Sequence, residues 1–247
     1  MTTPRMIFVV PYRDRKEHQA VFSKHMETVL ENLDDYRIIY IHQMDTRSFN
    51  RGAMKNIGFL YVKEQYPETY KDITLIFNDV DTMPKTKNTI NYETIQGTIK
   101  HHYGFSFTLG GIISIKARDF ELINGFPNFW AWGYEDNALQ QRAIKQNIMI
   151  DRSHMYEPGS NKILHLKDAV EKIVNKTEFH MYRQALNEGY KNIVDLDYYY
   201  DESNGFLNIT RFNTGREENK KHSKLHDIRS GNQPFRKRNP KMYMVFS

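Results

Sequence analysis

An α/β fold with a largely parallel sheet is predicted by the pattern of the first half of the chain. Short apolar runs alternate there with segments of helical periodicity, the alternation that layers helices over parallel strands. The βαβαβ run this produces is about 80 residues long, the size of a nucleotide-binding half-domain.

Residues 6–11 read as a buried strand. Between 16 and 33, Val21, Phe22, Met26, Val29, Leu30 and Leu33 recur at helical spacing. Residues 36–42 read as a second strand. A helix follows near 52–65, with Ile57, Leu60 and Tyr61 as its apolar face. Residues 73–77 form the third strand, which ends abruptly in Asn78-Asp79-Val80-Asp81. Further on, Gly110-Gly111 stand between apolar residues, as where a backbone must approach something closely. Residues 117–124 read as a short helix closed by Gly125, 135–146 as another helix, and 168–188 as a further helical candidate. Strand-like aromatics return from 190 to 211, and little regular structure is expected beyond. The domain expected is a single one over residues 1–214, followed by a basic tail at 215–247.

Composition narrows the function classes. The chain of 247 residues is 39% hydrophobic and 26% charged, ordinary for a globular protein. It contains no run of about 18 apolar residues, so no membrane-spanning segment is expected. The apolar run after the N-terminus is too short for a secretory signal and carries no small-residue cleavage site. There is no cysteine. That excludes disulfides, thiolate catalysis and Cys-ligated zinc, and it fits a reducing, cytoplasmic setting. Net charge is +5, but residues 216–247 carry nine Lys and Arg against three Asp and Glu. A near-neutral body with a basic tail argues against nucleic acid as a partner.

Two motifs carry chemistry. Asp79 and Asp81 stand at i and i+2 just beyond a strand, where they can hold a hard cation and meet a ribose and diphosphate. Asp195-Leu196-Asp197 repeats the pattern, and either pair is compatible with a solvated turn. Position favours the first, because α/β sheets bind ligands beyond their strand ends. The second motif runs from Phe129 to Asp136 and holds both tryptophans, Trp130 and Trp132, directly before Glu135-Asp136. Aromatic rings offer flat walls to a sugar, and a carboxylate there can take the proton of an acceptor hydroxyl. A core role for the tryptophans and a helix-dipole role for the acids explain the same residues equally well.

Five ordered blocks across roughly residues 6–165 resemble the β-1,4-galactosyltransferase family of inverting glycosyltransferases, family 7, with a GT-A fold. They are Pro11-Tyr12-Arg13-Asp14-Arg15; Phe49-Asn50-Arg51 with Asn56-Ile57-Gly58; Phe77 to Asp81; Gly110-Gly111 with Ile123 to Asn128; and Trp130 to Asp136. The resemblance implies a Rossmann-like, mixed and mostly parallel sheet flanked by helices in one domain. It also implies a UDP-sugar donor, a glycan or glycoconjugate acceptor and Mn²⁺ or another divalent cation. By resemblance, Pro11, Arg13, Arg15, Phe49, Arg51, Asp79, Val80, Asp81, Trp132 and Gly133 bind the donor. Trp130, Tyr134, Glu135 and Asp136 meet the acceptor. Glu135 and Asp136 are the catalytic pair, Asp136 being the base, and Asp81 with His165 hold the metal.

The chain departs from the family at three places. The other metal positions are Lys162 and Lys167, and an ammonium cannot ligate a cation. Asp81 and His165 with diphosphate oxygens and water is the preferred set, since Mn²⁺ accepts mixed N/O ligands. His154 or Asp79 joining them, or a lysine replacing part of the metal charge, are the alternatives. Tyr134 and Asn137 replace a glycine and an acid, which reshapes the acceptor pocket. Thr108 stands where galactose-specific members have Tyr, so N-acetylgalactosamine joins galactose as a donor sugar. A glucose-type transferase and a nucleotide-sugar-binding protein without catalysis are the rival readings.

Overall fold

The strand β1 (Met6–Tyr12) is buried along its whole length, which is why its sequence is an unbroken apolar run. The computed structural model describes residues 3–167, 171–182 and 187–230. From β1 the chain runs through α1 (Lys16–Val29), β2 (Tyr36–Gln43), α2 (Arg51–Gln65), β3 (Thr74–Asn78) and β4 (Thr82–Pro84). Next come β5 (Thr98–Tyr103), β6 (Ile112–Lys116), α3 (Ala117–Leu122), α4 (Glu135–Lys145), β7 (Met149–Asp151) and β8 (Ile163–His165). After these, among the described residues, come β9 (Glu171–Asn175), α5 (Lys176–Tyr182), β10 (Val194–Asp201), β11 (Phe206–Asn213) and β12 (Ser223–Asp227).

Eight strands form one mixed sheet in the order β10-β11-β2-β1-β3-β6-β5-β7. The pairs β11–β2, β2–β1, β1–β3 and β5–β7 are parallel, and the others are antiparallel. Alternation along β1 serves two cores. Ile7 and Val9 face one side with Met54, Ile57, Phe120 and Leu139, whereas Phe8 and Val10 face the other with Phe22 and Met26 of α1. Each such fully buried side chain contributes about 1.5–3 kcal/mol.

The topology also places the site. Because β2 and β3 lie on opposite sides of β1, the crossovers diverge, and a crevice opens beyond the carboxyl end of β1. On its rim α2 starts cleanly, since the Asn50 side chain caps it by accepting from Ala53 N at 2.9 Å. Gly52 in its first turn admits the backbone of Pro127; a Cβ there would stand 1.9 Å from the Pro127 carbonyl oxygen.

The second half differs from its sequence reading in two respects. The helix expected over 168–188 is instead β9 followed by the short α5, with 168–170 and 183–186 outside the described residues. The irregular stretch expected after 211 contains β12, which pairs antiparallel with β9, Leu225 opposite Ile173. Around it, Arg216 ion-pairs with Glu188 at 2.6 Å and Glu218 accepts from Ser48 of the body. The ordered body therefore continues past residue 214; residues 231–247 lie outside the described residues. Among the described residues no helix is long and apolar enough to cross a membrane. The second acidic pair sits on the edge strand β10, where Asp197 pairs with Arg211 at 2.8 Å.

Candidate active site

Beyond the ends of β1 and β3 lies a cleft of about 350 Å³. Pro11, Arg13 and Arg15 reach it from β1, Asp79, Val80 and Asp81 from β3, and Phe49 and Arg51 from the start of α2. Trp130, Trp132 and Glu135 close its far side. Gly133, Tyr134, Asp136 and His165 are not on this wall, though all four neighbour it in sequence or across a strand pair.

Arg51 organises the acids. Its Nη2 lies 2.6 and 2.7 Å from the two Asp79 oxygens, and its Nε lies 3.7 Å from Glu135 Oε1. Burial alone would weaken the guanidinium's hold on its proton. Asp79, Glu135, Asp136 and Asp81 more than reverse that, so it stays charged. Burial, and after it the Asp136 charge, push the Glu135 carboxyl up, against the pull of Arg51 and Lys55. Arg13 turns partly inward, its Nη2 donating to the Asp45 carbonyl at 2.8 Å and its Nη1 to that of Arg47. The arginine therefore ties the loop after β2 to the cleft wall.

The aromatic loop is held from behind. Trp130 is 3% exposed: its ring stacks on Phe212 with Arg47 at 4.5 Å from its centre, and its Nε1 donates to the Arg216 carbonyl at 2.9 Å. Glu178 of α5 accepts from Ala131 N at 2.9 Å, and the Ile173 carbonyl of β9 accepts from Trp132 N at 2.7 Å. Tyr134 ends the loop in the left-handed region, φ 79°, where a glycine is free and a tyrosine is strained. Its ring packs edge-on against Phe179 at 4.3 Å. The segment read as one long helix thus fastens the tryptophans.

Asp136 stands in the first turn of α4, where a negative charge suits the helix dipole. Lys55 Nζ lies 3.1 Å from its Oδ1. Its Oδ2 lies against Gly110, where a Cβ would come within 2.5 Å. The close approach expected at the glycine pair is therefore to this carboxylate at Gly110 and to the Tyr103 carbonyl at Gly111, where a Cβ would stand 2.3 Å away. Neighbouring Thr108 is buried, and its hydroxyl accepts from Gly110 N at 3.2 Å.

The antiparallel pair β4–β8 sets Thr82 opposite His165, and Leu166 N donates to the Asp81 carbonyl at 2.8 Å. This places His165 Nε2 3.7 Å from Asp81 Oδ2. Two donors each about 2.1 Å from one cation lie about 3.0 to 4.2 Å apart, so the pair fits a shared divalent ion. The Tyr103 hydroxyl, 3.3 Å from His165 Nδ1, steadies the ring. No group of three or more His, Cys, Asp and Glu gathers for a metal among the described residues. Asp79 is engaged by Arg51, and His154 lines a separate groove with Asp151 and Lys100. A cation here would take its remaining ligands from substrate oxygens and water.

Residues 1–93 match the family model described as the N-terminal region of glycosyl transferase group 7, and residues 89–168 match that described as the N-terminal domain of galactosyltransferase. The chain belongs to glycosyltransferase group 7. Over 177 residues it is 30% identical to β-1,4-galactosyltransferase 4 of Cricetulus griseus, covering 66% of this chain and 49% of that one. Over 173 residues it is 29% identical to the xylosylprotein 4-β-galactosyltransferase of Caenorhabditis elegans, covering 66% and 58%. The chain thus spans about half the length of these relatives. The catalytic domain of Drosophila β1,4-galactosyltransferase 7, solved with xylobiose, superposes with a TM-score of 0.65 at 23% identity over 83% of this chain and 93% of that one. A variant of that protein, solved with manganese, UDP-Gal and xylobiose, gives 0.67 with the same coverage and identity. These likenesses establish the GT-A fold of this group 7 chain.

Some residues at the site gave no sign in the sequence reading. Lys55 had one available signal, a cation on a helix that is otherwise buried. Glu178 and Ile173 had none, because their contacts cross more than 40 residues. Phe105 and Phe107, stacked and exposed on the loop before Gly110, are tied to α4 through Asn137 Nδ2 and the Phe107 carbonyl.

Proposed function

We propose that this chain is an inverting transferase that moves galactose or N-acetylgalactosamine from a UDP-sugar to a glycan hydroxyl. The observation that carries the reading is the meeting, beyond β1 and β3, of basic, acidic and aromatic residues in one cleft. The named activities of the relatives, and the UDP-Gal, manganese and xylobiose held by the related fold, support the same choice.

In this reading Arg13 and Arg15 face the diphosphate, where guanidinium forks suit phosphate oxygens. Phe49, Arg51 and Val80 line the nucleoside, with Asp79 fixed by Arg51 as an acceptor for ribose hydroxyls. Trp132 and Gly133 border the donor sugar, and Trp130, Tyr134 and Glu135 shape the acceptor side. Asp136 takes the proton of the attacking hydroxyl. Asp81 and His165 would hold a divalent cation, which when bound supplies a Lewis acid for the departing diphosphate. Thr108, standing where galactose-specific members of the family have Tyr, supports N-acetylgalactosamine by resemblance; it lies beside Gly110 and not on the cleft wall.

The deciding experiment is UDP release from a panel of UDP-sugars, with and without Mn²⁺. Metal-dependent release from UDP-Gal or UDP-GalNAc is the expected result. Tight UDP binding with no release, even with acceptor glycans present, would leave a binding protein instead.

A further inference from the structure

Lys55 is a lysine at a core position. It lies on α2 one turn beyond Arg51 and is 2% exposed. Its Nζ is 3.1 Å from Asp136 Oδ1 and 4.4 Å from the centre of the Phe126 ring. Taking an ammonium out of water is costly, and a buried ion pair is often no more stable than apolar residues of the same size. Stability of the fold therefore gives little reason for a cation here.

The geometry gives another. Arg51 and Lys55 stand one turn apart on the same helix and sort the acids opposite them. Arg51 approaches Asp79 and Glu135, and Lys55 approaches Asp136. Lys55 occupies Oδ1, while Oδ2 lies against Gly110. The Asp136 carbonyl is held as well, accepting from Leu109 N at 3.3 Å. The carboxylate is thus fixed in one orientation with its two oxygens made unequal.

We propose that Lys55 is a positioning residue for transfer, holding Asp136 by Oδ1 so that Oδ2 is the oxygen that takes the acceptor's proton. The role rests on the transferase reading above. In the step, the acceptor oxygen forms the new bond to the anomeric carbon. The bond from that carbon to the diphosphate oxygen breaks, its electron pair leaves with UDP, and the hydroxyl proton passes to Oδ2. Lys55 goes on donating to Oδ1 throughout, so the proton cannot settle there.

The test is Lys55→Met, a neutral side chain of similar length, assayed with the UDP-sugar and acceptor that the wild-type protein uses. A misplaced base is expected to lower kcat about a hundredfold. The KM for the donor should stay within roughly twofold, because Lys55 does not line the donor cleft. A folded variant with wild-type kcat, or one whose kcat and donor KM worsen together, overturns the role. If Lys55→Met does not fold, Lys55→Gln is read in the same way. Melting temperatures of Lys55→Met, Asp136→Ala and the double variant, in which each single change removes the contact, test the pair without any assay of activity. The double variant should lose clearly less than the sum of the single losses, and additive losses would refute the pairing. Absence of transfer by the wild-type protein would remove the functional reading and this role with it. Transfer by wild type that is unchanged in Lys55→Met removes the role alone.

Discussion

His165 Nε2 and Asp81 Oδ2 face each other at 3.7 Å beside the β4–β8 pair, Asp81 directly before β4 and His165 at the end of β8. The contact is made by backbone register, Thr82 opposite His165, and not by proximity in sequence. If the two hold a cation, as proposed above, no third protein donor is needed where a diphosphate completes the shell.

That arrangement predicts a linked loss of metal and nucleotide. His165→Ala should weaken UDP binding about tenfold or more in the presence of Mn²⁺ and leave metal-free binding nearly unchanged. Calorimetric titrations of UDP with and without Mn²⁺ give both numbers. Equal weakening in the two conditions would show that His165 contacts the nucleotide directly and does not act through a cation.

The parts of the site that were legible in the sequence are those made locally. Asp79 and Asp81 follow β3 without a break, and Glu135-Asp136 open α4 directly after the tryptophans, so a strand end and a helix start were enough to place them. The helix expected over 168–188 failed for the opposite reason. Strand β9 exists because β12, some 50 residues later, pairs with it, and half-buried strands take their conformation from such partners more than from local propensity. The partner of Lys55 was illegible for a related cause: Asp136 lies 81 residues away.

The fastening of the tryptophan loop by β9 and α5 has a measurable cost when broken. Glu178→Ala removes the acceptor of the Ala131 amide and the longer contact from Trp130 N at 3.4 Å, both within the fold. Buried donors left without partners cost about 1–3 kcal/mol, so the variant should melt several degrees lower. Because the same loop carries Trp132 into the cleft, donor KM should rise as well. A variant with reduced stability but unchanged donor KM would show that the loop's anchoring does not serve the donor role proposed for Trp132.

Acid sensitivity should come in part from His102. Burial, and after it the charges of Lys100 and His101, push this imidazole down to about 3, and its Nε2 meets Ser114 Oγ at 2.7 Å. The folded protein keeps the ring neutral, whereas the unfolded chain takes up a proton below about 6.5. The stability is therefore complete above pH 6.5 and is lost as pH falls from there towards 3, by about 1.4 kcal/mol per pH unit. His102→Gln keeps a polar partner for Ser114 and cannot titrate. In urea melts at pH 7.5, 6 and 5, the stability of wild type minus that of the variant should shrink as the pH falls. His101, also lowered by burial, is present in both proteins and cancels. Parallel curves would show that His102 is free to take up its proton in the folded state.

The assignment of the base makes the sharpest demand. Glu135 and Asp136 are adjacent, yet they are held differently: Glu135 lines the cleft near Arg51, and Asp136 lies off its wall between Lys55 and Gly110. Asp136→Asn keeps the size of the side chain and its hydrogen bond to Lys55 while removing its ability to take a proton. Transfer should fall by about 10²–10⁴-fold, with UDP affinity in Mn²⁺ close to wild type, because Asp136 does not border the nucleotide. Glu135→Gln should behave otherwise. It breaks the charge balance around Arg51 and Asp79, so it should weaken nucleotide binding together with turnover. If the two variants exchange these behaviours, Glu135 is the base, and the sorting of acids by Arg51 and Lys55 must be read the other way round.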